Sequence, residues 1–471
     1  MKIKDIVTFV SKSITPQKGV TYNLYSLPSF DEGKTFEVLD GADIQSNKYD
    51  VPNKCILFNK LNVRFKRVWR IDSHDENKIA STEFLPLVVD EDVVDFQYCY
   101  YLLISDKITN YLCGQNTNTS GSHKRIDPDN FLNIEIKLPK MSIQRQVGKT
   151  LSALDRKIVL NKQINDNLEA MAKQLYDYWF VQFDFPNEEG KPYKSSGGAM
   201  VWNEKLKRDI PKGWSVKNLE QIATSYQQGL IRSNNQLSTD SKYGYLKMGD
   251  LGGKGQYTLQ GLTRTNATNE EVDLFSLHKG DFLINVRNSK EIVGKTCLIG
   301  YVERNTLYNH MLVRLDFKDV STFYMNLLFN SEFMYKALDG LKQGTTTVIA
   351  LYQNDLYRLP ILVPAPCVME QFSKITDSIL DQKEIISYEI EELTKQRDDL
   401  LPLLMNGQAS VNYHLSASTS ISFDISFLFL NFTNGNSLYE IIGLDYQCFA
   451  LPLHSKENTH GTIQEDKRHI Q

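Results

Sequence analysis

Two stretches of this chain repeat apolar residues at the spacing of a long amphipathic helix, which constrains the fold more than any other feature. The first run starts near Gln146 and the second near Gln371. Each stretch lacks Gly and Pro over most of its length, and charged or amide side chains fill the opposite face. Apolar stripes this narrow predict coiled-coil contact. The predicted seam residues are Leu154, Ile158, Ile164, Leu168, Leu175, Ile379, Ile386, Ile390, Leu393 and Leu400.

The two halves of the sequence match each other beyond this pattern. Pro139 precedes the first helical run, and Pro364 precedes the second. Ile164 and Ile390 occupy matching places within the runs at almost the same offset. The beginnings of the halves are also alike, since Ile3-Lys4-Asp5-Ile6 matches Val216-Lys217-Asn218-Leu219. Agreement at both ends of a long unit predicts an internal duplication.

The segments before the helices alternate short β-rich runs with turn clusters, which is typical of α+β domains. The predicted fold is therefore α+β, with two globular domains that are each followed by a long helix. We expect the two helices to form an antiparallel coiled coil and the repeat to be pseudo-twofold. The predicted regions are globular domain one (1–142), helix one (143–185), a Pro/Gly/Ser-rich linker (186–213), globular domain two (214–366), helix two (367–408) and an atypical tail (409–471), for which disorder is one interpretation.

Composition narrows the class of protein without identifying it. A hydrophobic fraction of 41% and a charged fraction of 23% are ordinary for a soluble protein. No apolar run reaches the length of a membrane span, and the six cysteines are scattered without a C-x-x-C pair. These features predict a cytoplasmic protein with reduced thiols and no membrane partner. The net charge of −4 does not favour nucleic-acid binding, so DNA contact would depend on local basic surfaces or on partner proteins.

Motifs of the enzymes that act on DNA are missing from the sequence. None of the 14 prolines adjoins another, which excludes the Asn/Asp-Pro-Pro-aromatic motif of amino-methyltransferases. The stretch Gly252-Gly253-Lys254-Gly255 lacks the spacing and the Ser/Thr of a phosphate-binding loop. Three Glu-x-Lys triplets occur, but such short matches arise by chance in a charged sequence. The eight histidines form no H-E-x-x-H motif. We therefore expect no catalytic residues and no metal site.

The region around the end of the first helix carries a distinctive series of short motifs. They are Leu154-Asp155-Arg156-Lys157-Ile158, Asn161-Lys162-Gln163-Ile164-Asn165, Leu175-Tyr176-Asp177-Tyr178-Trp179-Phe180, Phe183-Asp184-Phe185-Pro186, Gly190-Lys191-Pro192-Tyr193 and Ile210-Pro211-Lys212-Gly213-Trp214. This series resembles the central region of type I restriction-modification specificity subunits. Segments 24–31, 60–64, 280–289 and 293–296 are similar to the target-recognition domains of that family. The resemblance covers residues 1 to about 410, and the tail departs from it.

The resemblance implies a DNA-specificity subunit without an active site. Its two globular domains would be target-recognition domains, each reading one half of a bipartite site in double-stranded DNA. The implied partners are type I methyltransferase subunits, two of them by symmetry, and restriction/translocase subunits. No cofactor is expected in this chain, whereas S-adenosylmethionine, ATP and Mg are expected on the partners. A helix from Gln146 to Tyr178 would be about 50 Å long, enough to hold two domains at half-sites about one helical turn apart.

Basic and polar residues in the loops of the two domains are the candidates for DNA contact, because such side chains suit base edges in the major groove. The predicted residues are Lys60, Asn62, Arg64, Arg67, Lys124, Arg125, Arg232, Arg287, Asn288, Lys290, Thr345 and Thr346. For any one of them, a solvated charge or a phosphate contact is the alternative. Two other functions also remain open. One is a coiled-coil scaffold that binds protein and no DNA, and the other is an autonomous DNA-modifying enzyme.

Overall fold

The computed structural model describes residues 1–114, 125–253, 255–259, 261–344 and 349–408. The predicted residues Lys124, Thr345 and Thr346 and the tail after residue 408 lie outside this range. The described chain divides into two compact units, residues 1–166 with 386–408 and residues 167–385. The division falls within both long helices, so each unit contains a globular domain and part of each helix.

The described residues of the first globular domain form nine strands and four short α-helices. The strands are β1 (Val7–Phe9), β2 (Ser13–Ile14), β3 (Thr21–Tyr25), β4 (Glu37–Asp40), β5 (Lys48–Asp50), β6 (Lys54–Asn59), β7 (Val68–Asp72), β8 (Lys78–Ala80) and β9 (Phe84–Val89), and the helices are α1 (Leu27–Asp31), α2 (Phe96–Ile104), α3 (Asp106–Gly114) and α4 (Pro128–Leu132). One sheet has the antiparallel order β1-β9-β6-β7. The other has the order β2-β5-β8-β3-β4, in which β3 and β8 are parallel.

The core of this domain forms where the first sheet meets α2, α3 and α4. Residues Cys55 to Phe58 of β6 are all buried, as a central strand covered on both faces requires. The Phe58 ring stacks on Phe131 of α4, with ring centroids 4.4 Å apart. Leu404 of the second long helix is also part of this core.

The first long helix, α5, runs from Met141 to Tyr176 and continues as a π-helical turn at Asp177–Val181. The sequence predicted a helical segment over 143–185, so the regular helix ends earlier than expected. The chain leaves it through an aromatic cluster in which Phe180 contacts Trp214 at 5.8 Å and Phe185 stacks on Trp214 at 5.0 Å. Burial of these rings, not a break in apolar spacing, ends the helix.

The stretch predicted as a linker forms regular β-structure in its second half. It contains a hairpin of β10 (Met200–Asn203) and β11 (Arg208–Pro211), with Met200 opposite Pro211. Ile210 and Trp214 are buried in the core of the second unit. Composition alone suggested a linker, because the few apolar residues that anchor this segment are outnumbered by Pro, Gly and Ser.

The second globular domain shares one sheet of equivalent strand order with the first and differs from it elsewhere. Its strands are β12 (Ser215–Asn218), β13 (Ala223–Gln228), β14 (Leu237–Ser238), β15 (Tyr243–Leu246), β16 (Thr263–Thr265), β17 (Phe282–Asn285), β18 (Arg287–Asn288), β19 (Thr296–Leu298), β20 (Leu307–Tyr308), β21 (Leu312–Phe317), β22 (Gln343–Gly344), β23 (Ile349–Ala350) and β24 (Pro360–Val363), and its helices are α6 (Leu219–Ile222), α7 (Asn269–Phe275), α8 (Thr322–Phe329), α9 (Glu332–Leu341) and α10 (Gln353–Leu356). The antiparallel sheet β13-β21-β17-β19 matches β1-β9-β6-β7 of the first domain strand for strand. A second sheet, β14-β16-β15-β20, again contains one parallel pair, β15 with β20.

The second long helix, α11, runs from Pro366 to Met405 and contacts α5 within each unit. In the first unit, Asp155 accepts a hydrogen bond from Arg397 (3.2 Å), and Asn165 donates one to Ser387 (3.2 Å). In the second unit, Glu169 pairs with Lys383, and Phe180 contacts Phe372 with centroids 4.8 Å apart. Within each unit, later positions on α5 therefore meet earlier positions on α11.

Candidate nucleic-acid interface

Both domains end their central strand with a buried asparagine that shapes the following loop. Asn59 closes β6 and Asn285 closes β17, and neither is more than 1% exposed. The Asn59 Oδ1 atom accepts a hydrogen bond from the Leu61 N–H at 2.8 Å. The Asn285 Oδ1 atom accepts the corresponding bond from the Arg287 N–H at 3.1 Å. A short polar side chain that binds the backbone two residues ahead turns the chain sharply out of the sheet.

The backbone after each asparagine is fixed on both sides. Lys60 donates its N–H to Glu83 O at 2.9 Å, and its own carbonyl accepts from the Ile126 N–H at 2.9 Å. In the second domain, Val286 donates to Met311 O at 2.9 Å and accepts from the Leu351 N–H at 2.8 Å. In each domain, the residue after the asparagine is therefore hydrogen-bonded to one segment through its N–H and to another segment through its carbonyl. We call this arrangement the loop frame; it consists of Lys60 with Glu83 and Ile126 in the first domain, and of Val286 with Met311 and Leu351 in the second.

The loop frame of the first domain brings together most of its predicted DNA-contact residues. Lys60, Asn62, Arg64 and Arg67 follow β6 in order, on and around a 3-10 turn at Val63–Phe65. Arg125 joins them because it forms an isolated antiparallel bridge with Leu61. Since this bridge joins segments that are distant in the sequence, only tertiary pairing places these side chains on one surface.

Two arginines of this surface are already paired with carboxylates. Arg67 donates to Asp31 through Nε at 2.7 Å and Nη2 at 2.6 Å. Arg125 donates to Glu83 through Nε at 3.0 Å and Nη2 at 2.7 Å. The hydrogen bonds and the charge of Glu83 raise the pKa of Arg125 above its ordinary value. Two-pronged pairing holds a guanidinium in a defined orientation, and DNA would have to compete with the carboxylates for these groups.

Lys60 and Arg64 carry the charges of this surface that remain available. Within the described part of the chain, neither side chain has a hydrogen-bond or ion-pair partner. The Arg64 guanidinium lies over the Phe65 ring, 4.8 Å from its centroid. Asn62 has a left-handed backbone with a φ of 51°, which shapes the turn.

The second domain places Arg287 and Asn288 beside strands β23 and β22, and Lys290 follows two residues later. Strand β18 pairs with β23, with Arg287 opposite Ala350, and β23 pairs in turn with β22. The carbonyl of Lys290 accepts a hydrogen bond from Lys342 Nζ at 3.0 Å. Among the described residues, the Arg287 guanidinium and the Lys290 ammonium have no hydrogen-bond or ion-pair partner. Arg287, Asn288 and Lys290 therefore lie close to the described residues 342–344 and 349–350, whereas Thr345 and Thr346 themselves are outside the described range.

Arg232 has a structural role that its place in a polar loop did not suggest. Its side chain is 9% exposed and pairs with Glu271, with Nη2 to Oε2 at 2.5 Å. The same guanidinium donates to Thr265 and to the carbonyl of Asn266. The hydrogen bond from Arg232 lowers the pKa of Glu271. Since these bonds already use most of its donors, Arg232 is poorly placed to contact DNA, contrary to the sequence-based expectation.

Both halves of this chain match the profile of a known family. The family described as "Type I restriction modification DNA specificity domain" matches residues 1–170 and 211–395. The chain belongs to this family. Its two matched segments each contain one globular domain and much of the long helix after it.

Characterised members of the specificity-domain family resemble the chain over most of their length. The HindI specificity subunit of Haemophilus influenzae is 23% identical over 418 residues, covering 77% of this chain and 90% of that protein. The MjaIX specificity subunit of Methanocaldococcus jannaschii is 23% identical over 347 residues, covering 71% and 74%. Among solved structures, the S subunit from M. genitalium covers 86% of this chain and 95% of its own, at 14% identity and a TM-score of 0.49.

Several residues near the predicted DNA-contact residues of this specificity-domain protein could not be identified from the sequence pattern. His310 follows β20, and its backbone N–H donates to Leu230 O at 3.1 Å. Burial and the nearby Arg287 charge lower the pKa of His310. Phe65 was overlooked because a single exposed aromatic residue has no sequence pattern. The residues Asn235 and Gln236 also line a polar cleft of about 480 Å³ beside Arg232.

The predicted seam residues occupy the buried side of both helices to different degrees. Ile158, Leu168, Ile379 and Leu393 are buried. The half-buried ones are Leu154, Ile164, Leu175, Ile386, Ile390 and Leu400. Asn161, at the break in the apolar pattern, is 5% exposed and donates to Glu389 Oε2 at 2.8 Å.

Metal-binding clusters and membrane-spanning helices are both absent from the described residues. These residues contain no group of three or more His, Cys, Asp or Glu side chains that could hold a metal ion. In the same part of the chain, no helix has the length and apolar character that a bilayer crossing requires.

Proposed function

We propose that this specificity-domain protein selects a bipartite DNA sequence, with each globular domain reading one half-site. DNA sequence specificity is the role of the family to which the chain belongs. The division into two half-sites is supported by two domains that share one antiparallel sheet of equivalent strand order, each with one loop frame.

The observation that carries the proposal is that equal frames present different side chains. The first frame carries the half-buried Lys60 and the exposed Arg64, and the second carries the exposed Arg287 and Lys290. Arg and Lys suit guanine O6 and N7 in the major groove, and both also contact phosphate. Because the side chains differ in type and position, the two half-sites should differ in sequence.

The long helices are proposed to form an antiparallel coiled coil that sets the spacing between the half-sites. Support comes from the contacts within each unit, where the residue numbers of α5 rise as those of α11 fall. Lys157 and Lys383, which are equivalent positions of the repeat, each pair with a glutamate of the opposite helix, Glu389 and Glu169 respectively. Equivalent ion pairs in each half of the repeat would give the protein pseudo-twofold symmetry.

Catalysis, in this proposal, belongs to partner subunits. Two type I methyltransferase subunits would carry S-adenosylmethionine, and restriction/translocase subunits would carry ATP and Mg. The specificity-domain chain itself would bind double-stranded DNA in the cytoplasm without an active site. A net charge of −4 fits a division of labour in which partners neutralise much of the phosphate charge.

The test is selection of DNA by the chain in complex with its methyltransferase partner. A pool of random duplexes should yield two short specific sequences separated by a fixed number of unspecified base pairs. The methyltransferase alone serves as the control and should yield none. If the complex enriches no sequence, the specificity role is wrong and a protein-binding scaffold becomes the better explanation. Cleavage or methylation by the purified chain alone would contradict the non-catalytic role.

A further inference from the structure

The turn at Val63–Phe65 in the first domain has a strained backbone at both ends. Asn62 precedes it with a φ of 51°, and Lys66 follows it with a φ of 47°. Both are left-handed conformations that residues with a Cβ atom seldom adopt. Such conformations persist where the surrounding structure enforces them, and they concentrate at functional sites.

Three contacts fix this turn on the domain. The buried Asn59 amide sets the direction in which the chain leaves β6. Val63 is 7% exposed and is part of the domain core. Lys66 Nζ pairs with Asp106 Oδ1 at 2.6 Å, which ties the end of the turn to α3. The turn is therefore a rigid support and not a loose loop.

The turn presents an exposed ring with an arginine on either side of it in the sequence. Phe65 is 52% exposed, and the guanidinium carbons of Arg64 and Arg67 each lie 4.8 Å from its centroid. Arg67 is also clamped by Asp31, as described above. Arg64 differs, because the ring is the contact that orients it and its N–H donors are unoccupied within the described residues.

We propose that Arg64 is the base-reading side chain of the first domain and that Phe65 is the residue that positions it. The inference rests on the proposed DNA-specificity function and assigns roles within it. A guanidinium that contacts an aromatic ring through its π face is restrained without using its N–H donors, which leaves them free for two-pronged bonding to guanine O6 and N7. In this assignment Arg67, which also contacts the Phe65 ring and is held by Asp31, supports the ring and does not read a base.

The second domain offers an internal control. When Asn59 is aligned with Asn285, the position that matches Phe65 is Glu291, so the second loop frame has no aromatic residue there. Substitutions at Arg64 or Phe65 should therefore change one half-site and leave the other unchanged.

The experiment measures sequence preference in the intact complex of the chain with its methyltransferase partner. Wild type, Arg64→Ala, Arg64→Lys, Phe65→Leu and Phe65→Tyr are compared by selection from random duplexes, and by affinity for the selected site over a range of salt concentrations. Phe333→Leu and Arg304→Ala in the second domain are matched controls, since both side chains are exposed. Thermal unfolding of each variant checks that the domain remains folded.

The expected result is loss of preference for guanine at one position of one half-site. Discrimination there should fall by about 5- to 150-fold in Arg64→Ala, the range for a two-pronged base contact. Arg64→Lys should keep the salt dependence and show a weaker preference than wild type, because Lys retains the charge but lacks the rigid planar fork. Phe65→Leu should lose part of the preference, and Phe65→Tyr should retain it because the ring is preserved.

Two outcomes would overturn the assignment. If Arg64→Ala weakens binding to all sequences equally and lowers the salt dependence by about one charge, Arg64 is a phosphate contact. If Phe65→Leu abolishes the preference while Arg64→Ala preserves it, the ring itself contacts the base. Either outcome leaves the wild-type selection intact. Failure of the wild-type complex to select any sequence would instead refute the proposed function.

Discussion

Single buried amides organise the surface that we assign to DNA recognition. Asn59 and Asn285 lie at equivalent ends of equivalent strands. Their bonding differs in one respect. Asn59 also donates its Nδ2 to Leu61 O, whereas Asn285 Nδ2 is buried without a hydrogen-bond partner among the described residues. An unmatched buried donor costs free energy, so the two positions should respond differently to substitution.

Asn59→Ala should destabilise the protein more than Asn285→Ala. Loss of two hydrogen bonds at Asn59 should lower the free energy of unfolding by about 1–3 kcal/mol. Asn285→Ala loses one bond but also removes a buried donor that has no partner in the described chain, so its cost should be about 0.5–1.5 kcal/mol. Urea unfolding of the two variants measures the difference. Equal or reversed costs would show that the second amide is satisfied in solution.

His310 should make stability depend on pH. Its folded pKa is lowered, first by burial and then by the Arg287 charge. Below the ordinary value of 6.5 the unfolded chain therefore binds more protons than the folded one at this residue. The contribution is fully present above pH 6.5 and is lost as the pH falls through that value toward the folded pKa.

Urea unfolding at pH 7.5 and pH 5.5 tests this expectation. Wild type should lose more stability between the two conditions than His310→Gln, which cannot titrate. An equal loss in both proteins would mean that His310 is as readily protonated in the folded state as in the unfolded state.

At the scale of elements, one carboxylate connects three helices of the first unit. Asp155 of α5 accepts from Tyr101 of α2 at 2.5 Å and from Arg397 of α11 at 3.2 Å. Burial and the Asp155 charge raise the pKa of Tyr101, so its hydroxyl remains a donor. The motif Leu154-Asp155-Arg156-Lys157 is part of the resemblance to specificity subunits, and in the structure its Asp155 accepts hydrogen bonds from two other helices.

Asp155→Asn should destabilise the first unit, and Asp398→Asn should not. Both carboxylates pair with Arg397, but the side chain of Asp155 is 19% exposed and that of Asp398 is 58% exposed. Asparagine at 155 can still accept from Tyr101, so the substitution isolates the ion pair. We expect a loss of about 1–3 kcal/mol at Asp155 and below about 1 kcal/mol at Asp398. Chemical unfolding measures the free energy of unfolding of both variants. Equal losses in the two variants would mean that the exposed pair of Arg397 with Asp398 contributes as much as the pair with Asp155.

At the scale of the whole molecule, a duplicated chain can recognise an asymmetric site. One antiparallel sheet has an equivalent strand order in both domains, but the surfaces of the domains carry different charges and partners. Arg125 pairs with Glu83 in the first domain, for example, while Ala350 and Met311 occupy the corresponding frame positions in the second. A shared sheet with divergent loops would, in the proposed function, give two domains of different specificity.

Lengthening both helices should change the spacing of the DNA target and nothing else. Seven residues inserted after Asp166 and seven after Ile385 would add about 10 Å while preserving the heptad pattern. The gap between half-sites should then grow by about three base pairs, since the duplex rises about 3.4 Å per base pair. Selection from random duplexes reads the spacing directly. The control has seven residues inserted in the hairpin turn between Glu204 and Lys205, and its target should keep the wild-type spacing. A changed spacing in this control would contradict the spacer role. Altered half-site sequences in the helix variant would also contradict it.

Local patterns explain why part of this structure could be predicted. Helices α5 and α11 arise from apolar spacing within single segments, and the duplication is visible because equivalent residues recur at nearly constant offsets. The sequence was less informative for the segment 186–213, which was assigned from its composition and not from a repeating pattern. The segment expected to be a linker forms a hairpin, because Ile210 and Trp214 are buried by residues far away in the sequence.

The sequence by itself determined the two helical runs, the repeat and the resemblance to DNA-specificity subunits. Those properties depend on residues a few positions apart or on direct comparison of the halves. Only the tertiary structure decided which charged side chains are available. Arg64 and Arg287 have unoccupied donors within the described chain, whereas Arg67, Arg125 and Arg232 are paired with Asp31, Glu83 and Glu271. These partners are 36, 42 and 39 residues away, and a charge is available or neutralised according to what the fold places beside it.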